Sequence, residues 1–547
     1  MTGQPAPGAA ERPSLLSPFR HRLFLAVWLS NTVSNFGFQI QTVGAAWAMT
    51  VMTGSPKLVA LVVTAQLLPM VLFSLLFGAV ADVFDRRHVM LAAQLIRVAA
   101  ATALAVIAYL GFLSPALLLL LTFVLGCGLA LNSPAAQAVV GDLVPHAEIA
   151  GAVTLNSMGF NIARTLAPAI GGLVVATSGS EAAFLLNALS YIALLIVLLR
   201  WKGPERTSSV AREGVWSAAV GGLKYVTNAQ GVGRIVVRAA FSGTALAALT
   251  ALLPLLVKDR LHADSALYGI LLGCAGVGAV TGGISRLWLR ARLSSEALLQ
   301  LAQTAIAVAL LICSLSRSPV LTGAALILYG AGMFLSLNSF TVTMQMSVPR
   351  WVTGRAMAVV SMGNMGGFAF GAWLWGSLAE VTDVATSQQC AAGLLLLAML
   401  LGLRFPLGDP DPELYRPVSR QLPSRFTFAE HDGRLPVTVV REFRIEAGDR
   451  ETFLRLMAER RRLRKGQGAR RWTLAQDLEK PELWVERYHL PNSDHLQRTA
   501  ERTTVEEQRN LDKIKALARG DTPKIRILVE RGIEAAASPV VRPEEEF

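Results

Sequence analysis

Charge is what this sequence has least of. Asp, Glu, Lys and Arg make up 16% of its 547 residues, where a soluble globular protein carries about 25%. The shortage is confined to one region. Up to Phe405 there are 24 Lys and Arg and 13 Asp and Glu; after it, in 142 residues, there are 27 and 25. The long first part therefore reads as membrane, and the remainder as a charged soluble domain. This composition excludes a disordered chain, a nucleic-acid-binding domain and an ordinary cytosolic enzyme as readings of the whole. The net charge of +13 divides as +11 and +2 across the same boundary. It therefore fits basic loops beside a bilayer and does not call for a nucleic-acid partner.

Other absences narrow the chemistry. Cys127, Cys274, Cys313 and Cys390 all lie in apolar runs, and none forms a CxxC pair. Such cysteines behave as small hydrophobes, so neither a disulfide framework nor a zinc site is expected. No metal, cofactor or catalytic residue is assigned. There is no Walker motif, so ATP hydrolysis within this chain is not expected. Met1 to Pro18 is polar, and the first apolar run is long enough to span and stay, so no cleavable signal is expected. No Asp or Glu sits mid-span: Asp82 and Asp142 fall at one set of span ends, Glu380 and Asp383 at the other.

What is abundant is apolar sequence. Runs of about 20 residues, the length of a spanning helix, begin near Phe24, Leu58, Val89, Pro115, Leu155, Ala182, Ile235, Leu267, Ala297, Val320, Ala356 and Thr386. Twelve spans put both termini on one side. Of the 24 basic residues, Lys57, Lys258, Arg260 and Arg317 lie in the loops opposite the termini. Arg97, Arg164 and Arg238 lie in or at the ends of spans, and the other seventeen lie on the terminal side. The positive-inside rule then makes both termini cytoplasmic, in a multi-pass protein of the cell membrane. The longest loop of the membrane part, Trp201 to Gly231, separates spans six and seven. Within it Val215 to Val226 has one apolar helical face, which fits a surface helix or an ordinary linker.

The two halves repeat. A shift of 204 residues brings Gly126, Gly128, Val144, Pro145, Ala152, Ser157, Met158, Gly159 and Gly172 onto Gly330, Gly332, Val348, Pro349, Ala356, Ser361, Met362, Gly363 and Gly376. Equal six-span repeats in the same orientation are the parallel halves of a transporter of the major facilitator type.

Gly78-Ala-Val-Ala-Asp82-Val-Phe-Asp85-Arg86-Arg87 resembles the signature between spans two and three of that superfamily. The resemblance implies that Gly78 lets two helices approach, and that Asp82 pairs with Arg86 or Arg87 as a latch between the halves. Asp85 departs from the Gly usual there, and Val83 from a basic residue. In the second half Gly282 aligns with Gly78 and Arg286 with Asp82.

Span five contains Asn161, Arg164, Pro168, Gly171 and Gly172. An arginine deep in a span costs roughly 2.5–3.5 kcal/mol on insertion scales. It must face a cavity or a partner, and Asn161 lies on its face. Pro168 with Gly171 and Gly172 is similar to the kinked gating segment of the superfamily, with Ala167 in place of the usual Gly. Polar stripes run along other spans: Asn31, Asn35 and Gln39 in span one, Asn132 and Gln137 in span four, Asn338, Thr341 and Gln345 in span ten. The resemblance points them into a central cavity; the alternative is hydrogen-bonded glue between helices. Proton antiport is implied by the resemblance, with Asp82 and Asp142 as coupling candidates.

The tail reads strand, helix, strand, strand, helix, strand: Val437 to Ile445, Asp449 to Lys465, Arg470 to Leu478, Leu483 to Leu490, Ser493 to Leu517 and Lys524 to Glu530. This order is that of a ferredoxin-like plait. Trp484-Val-Glu-Arg-Tyr-His489 and Ser493-Asp-His495-Leu496 resemble small dimeric domains of the antibiotic-biosynthesis-monooxygenase type. That resemblance puts Trp484, His489 and His495 in a cleft, in a module that is structural or dimerising rather than catalytic.

The expected whole is an all-α membrane protein of twelve transmembrane helices in two six-helix repeats, with a small cytoplasmic α+β domain. Its divisions are a cytoplasmic tail (1–19), a first bundle (20–200), a central loop (201–231), a second bundle (232–405), a linker (406–436), the ferredoxin-like domain (437–533) and a disordered end (534–547). The chain resembles the transmembrane-secretion-effector branch, which is similar to enterobactin exporters. The resemblance implies a secondary active exporter of a small siderophore-like or drug-like molecule, working by alternating access. The competing readings are an importer of the same fold and a membrane-anchored enzyme or sensor acting through the tail.

Overall fold

The structure is a computed structural model and describes residues 14–201, 231–349, 352–408, 411–416, 418, 435–501, 503–519 and 524–529. Most of the central loop, the expected surface helix, most of the linker and the end after Val529 lie outside the described residues.

Eleven long helices form the first part: α1 (Arg22–Thr53), α2 (Pro56–Val83), α3 (Arg86–Tyr109), α4 (Pro115–Leu143), α5 (Ile149–Arg200), α6 (Val232–Leu255), α7 (Ser265–Arg290), α8 (Ser295–Leu315), α9 (Pro319–Met346), α10 (Thr353–Val381) and α11 (Val384–Arg404). α5 holds the fifth and sixth apolar runs. It breaks between them at Gly179, whose φ of 80° is left-handed and suits a residue without Cβ. Ten stretches among the described residues are long and apolar enough to cross a membrane, the whole of His146–Arg200 counting as one. α1 is not among the ten, because Asn31, Asn35, Gln39 and Gln41 dilute its apolar residues.

Local chemistry sets the turns. Ser55 and Ser114 cap α2 and α4, each followed by a proline at the first helical position, where its missing N–H costs nothing. Asp85, Asp264, Ser294 and Asp383 cap α3, α7, α8 and α11.

The chain divides into two compact units. One holds α1 to α11 apart from the start of α6 and the adjoining ends of α9 and α10 (Val342–Val359); the other holds those ends and the chain from Asp409. Within the first unit, the sequence repeat is also a packing repeat. Gly126 on α4 abuts the Gln66 carbonyl of α2, and Gly330 on α9 abuts the Ala275 carbonyl of α7. Gly128 meets α3 at Ala93 and Arg97, and Gly332 meets α8 at Ala302. Gly159 meets α1 at Trp28 and Thr32, and Gly363 meets α6 at Val236. Gly172 crosses to Ser265 and Gly269 of α7, and Gly376 crosses back to Pro56 and Ala60 of α2. Four pairs of glycines 204 residues apart thus permit equivalent close approaches, three within each half and one from each half to the other. Gly78 is different. A Cβ there would meet nothing within 4 Å among the described residues, so the expected close approach is not seen among them. Its counterpart Gly282 does press on α9 at Ala331.

The second unit contains β1 (Val437–Arg444), α12 (Arg450–Gly466), β2 (Arg470–Gln476), β3 (Leu483–Leu490), α13 (Ser493–Glu501), α14 (Val505–Leu517) and β4 (Lys524–Val529). The sheet is antiparallel, in the order β2-β3-β1-β4. The expected helix from Ser493 to Leu517 is two helices, because Thr504 caps α14 anew. One face of the sheet is covered by a core that includes Phe443, Phe453, Met457, Trp484 and Ile514. Beside it lies a buried ionic cluster. Arg460 and Glu486, 2% and 0% exposed, pair at 2.9 Å, and Trp472 Nε1 donates to Glu486 at 2.9 Å.

Candidate transport cavity

A cavity of about 540 Å³ lies inside the first unit, lined from both halves by α1, α2, α5, α6, α7, α9 and α10. Gln39, Asn161, Arg164, Asn338 and Thr341 line it, as does Pro168. The Arg164 guanidinium reaches across the halves and donates to the Met333 sulfur at 3.3 Å. The Asn161 amide donates to the Ser157 carbonyl at 2.9 Å. The Asn338 side-chain oxygen is buried without a hydrogen-bond partner among the described residues.

Close helix contacts hold this wall in place. The Pro168 backbone packs closely against Gly269, Gly171 lies on Ile40 of α1, and Gly276 lies on Thr165. Further contacts between the halves lie toward the end of the bundle that holds the α1–α2 turn. Glu380 accepts from Ser55 Oγ at 2.8 Å and from the Lys57 amide at 3.2 Å. Lys258 Nζ donates to the Thr50 carbonyl at 2.9 Å, and Thr64 donates to the Ala369 carbonyl at 2.9 Å.

The remaining sequence candidates lie elsewhere. Asn31 and Asn35 continue the Gln39 face but are not among the cavity-lining residues. Asn132 is buried between α3 and α4 and accepts from Gln94 at 3.5 Å. Gln137 is exposed and donates to Ser133 in its own helix, and Gln345 is exposed at the end of α9. The Asp82 side chain is outside the described residues. Arg86 bonds Asp142 at 3.0 Å and the Ala138 carbonyl at 2.7 Å. Arg87 donates to the carbonyls of Leu198 and Leu199 at the end of α5, where a helix C-terminus favours a cation. These partners of the two arginines all belong to the first half. In the second unit Trp484 is buried in the core, His489 bonds Thr438, and His495 bonds the Gln467 carbonyl, so the three do not converge on one cleft.

The sequence profile of a family described as transmembrane secretion effector matches residues 13–535. The chain belongs to this family. Among curated proteins, it is 27% identical over 201 residues to the multidrug efflux pump Tap of Mycobacterium bovis (strain BCG / Pasteur 1173P2), which covers 35% of this chain and 48% of the pump. The chain thus spans about half the length of that relative. It is 26% identical over 393 residues to the enterobactin exporter EntS of Escherichia coli O1:K1 / APEC, covering 70% of this chain and 91% of the exporter. It matches the structure of a bacterial homologue of the human lysosomal transporter Spinster, inward-facing and unoccupied, with a TM-score of 0.59 at 15% identity, over 71% of this chain and 98% of that one. The helical part therefore has the fold of the major facilitator transporters.

Within this family fold, some cavity residues escaped the sequence reading. Tyr329 and Met333 line the cavity, with Thr42 and Thr250. Tyr329 donates to the Leu246 carbonyl at 2.7 Å and contacts Thr250 Oγ1 at 3.0 Å. The signal was available: stepping back by fours from Thr341 gives Leu337, Met333 and Tyr329, all lining residues. The α9 stripe runs that way, and not on toward Gln345.

Proposed function

We propose that the chain is a secondary active exporter of a small siderophore-like or drug-like molecule. One observation carries the reading: a cavity of about 540 Å³ at the junction of two repeats, with polar groups from both. Binding at the junction of repeats is how alternating access works in this fold. Arg164, Asn161, Gln39, Asn338 and Thr341 hold the cargo; Asn31 and Asn35 extend the α1 face beside it. Pro168, Gly171 and Gly172 form the surface on which the halves rock. The ten apolar stretches, α1, and the division of α5 at Gly179 support a count of twelve spans. The basic loops put both termini in the cytoplasm. The contacts between the halves at Glu380 and Lys258 then close the outer side, and the cavity faces inward.

The loop from Gly78 to Arg87 acts within the first half, where Arg86 and Asp142 hold α3 to α4. Any coupled proton is carried by Asp82 or Asp142, at span ends; the described residues that line the cavity include no carboxylate. The tail is a ferredoxin-like cytoplasmic module with a structural or dimerising role, supported by its strand order.

An accumulation screen tests the function. Cells lacking this chain should retain more of at least one compound from a siderophore and drug panel than cells overproducing it. Equal retention across the panel, with the protein abundant in the membrane, would contradict the reading.

A further inference from the structure

Arg164 is the one formally charged residue among the described residues that line the cavity. Its hydrogen-bond acceptor among the described residues is a thioether sulfur, Met333 Sδ at 3.3 Å. Sulfur is a weak acceptor, and a guanidinium has five N–H donors that it never surrenders. A fixed cation without a carboxylate is costly inside a membrane. Two other buried arginines of the spans have partners. Arg238 holds Glu296 with two bonds of 2.7 and 2.8 Å, and Arg97 lies 4.0 Å from the Tyr191 ring centre. Arg164 is left facing the cavity. Around it the wall is mainly apolar, with Val62, Leu272, Phe334 and Phe368 among the lining residues.

We infer that the cargo is an organic anion with one net negative charge on a largely apolar body. Its carboxylate, sulfonate or phenolate accepts from Arg164, and its body fills the apolar remainder. This rests on the exporter reading and names its substrate class. A planar guanidinium grips an oxyanion in a bidentate manner that an ammonium cannot reproduce. A cation finds no counter-charge among the lining residues and meets Arg164 head on. A neutral molecule of the same shape gains the apolar contacts alone.

Three dansyl probes of one fluorophore test this. Dansylglycine is an anion, dansylamide is neutral and dansylcadaverine is a cation. Binding is read by fluorescence on the full chain in phosphatidylcholine nanodiscs, against empty nanodiscs. Dansylglycine should bind about tenfold or more tighter than dansylcadaverine, with dansylamide between them, as expected for a hydrogen bond to a charged group. Arg164→Gln should remove the order while dansylamide still binds. Met333→Glu should remove it too, with the arginine intact, by supplying an internal counter-ion. A preference for dansylcadaverine, no order among the probes, no binding of any probe, or an order that survives both variants would overturn the inference. Efflux in the accumulation screen without an anion preference here would sink the substrate class and leave the exporter. An anion preference without efflux would do the reverse.

Discussion

Glu486 shows what a single residue can carry. It is wholly buried, which pushes its carboxyl up, but the guanidiniums of Arg460, Arg441 and Arg464 outweigh that and hold it below the usual carboxylate range. An acid with a lowered folded pKa stabilises the fold above its unfolded value, about 4.3. That contribution is lost as pH falls through the folded value. Glu507 runs the other way, since burial holds its carboxyl up, so a single-site comparison is needed. Glu486→Gln leaves Arg460 buried without its counter-ion, at a cost of about 3–5 kcal/mol. Hydrogen exchange of the β3 amides in the full chain should therefore be much faster in the variant at pH 7. The gap should narrow in acid, where the native carboxylate is itself protonated. Equal exchange at pH 7 would contradict this account of the cluster.

At the scale of helices, the glycines decide the packing. Gly330→Val puts a branched side chain against the Ala275 carbonyl of α7, where even a Cβ collides. Membrane abundance should fall severalfold, because backbone on both sides must move. Gly78→Ala meets nothing within contact distance, and alanine is the better helix former by about 1 kcal/mol. Its abundance should equal that of the native chain. Immunoblots of membrane fractions check both; equal loss in the two variants would contradict the packing scheme. The repeat was legible because a glycine that admits a neighbouring backbone cannot drift to another residue type, so identity at a fixed offset survives in the sequence. The polar stripes were only half legible. Periodicity tells which residues share a face, not what covers that face. Asn338 and Thr341 face the cavity, whereas Asn132 on an equally polar stretch faces Gln94 of α3. Arg164 was legible from its cost, since a buried cation demands a reason wherever it stands. Tyr329 and Met333 were not read, because an aromatic and a thioether in an apolar span look like core.

For the molecule as a whole, the cavity and the charged tail belong to different units. The described residues that line the cavity all lie within the first unit. The succession of strands and helices in the tail was readable from the sequence, but its ionic core was not, since nothing in a linear sequence says that Arg460 and Glu486 meet. The most direct measurement is efflux of an effluxed compound from cells, normalised to protein in the membrane, for four chains: native, truncated before Val437, Arg164→Ala and Arg164→Lys. The account predicts measurable efflux by the truncated chain and nearly none by Arg164→Ala at equal abundance, with Arg164→Lys between native and Ala because it keeps the charge and loses the fork. Native-level efflux by Arg164→Ala, or complete loss on truncation at normal abundance, would contradict it.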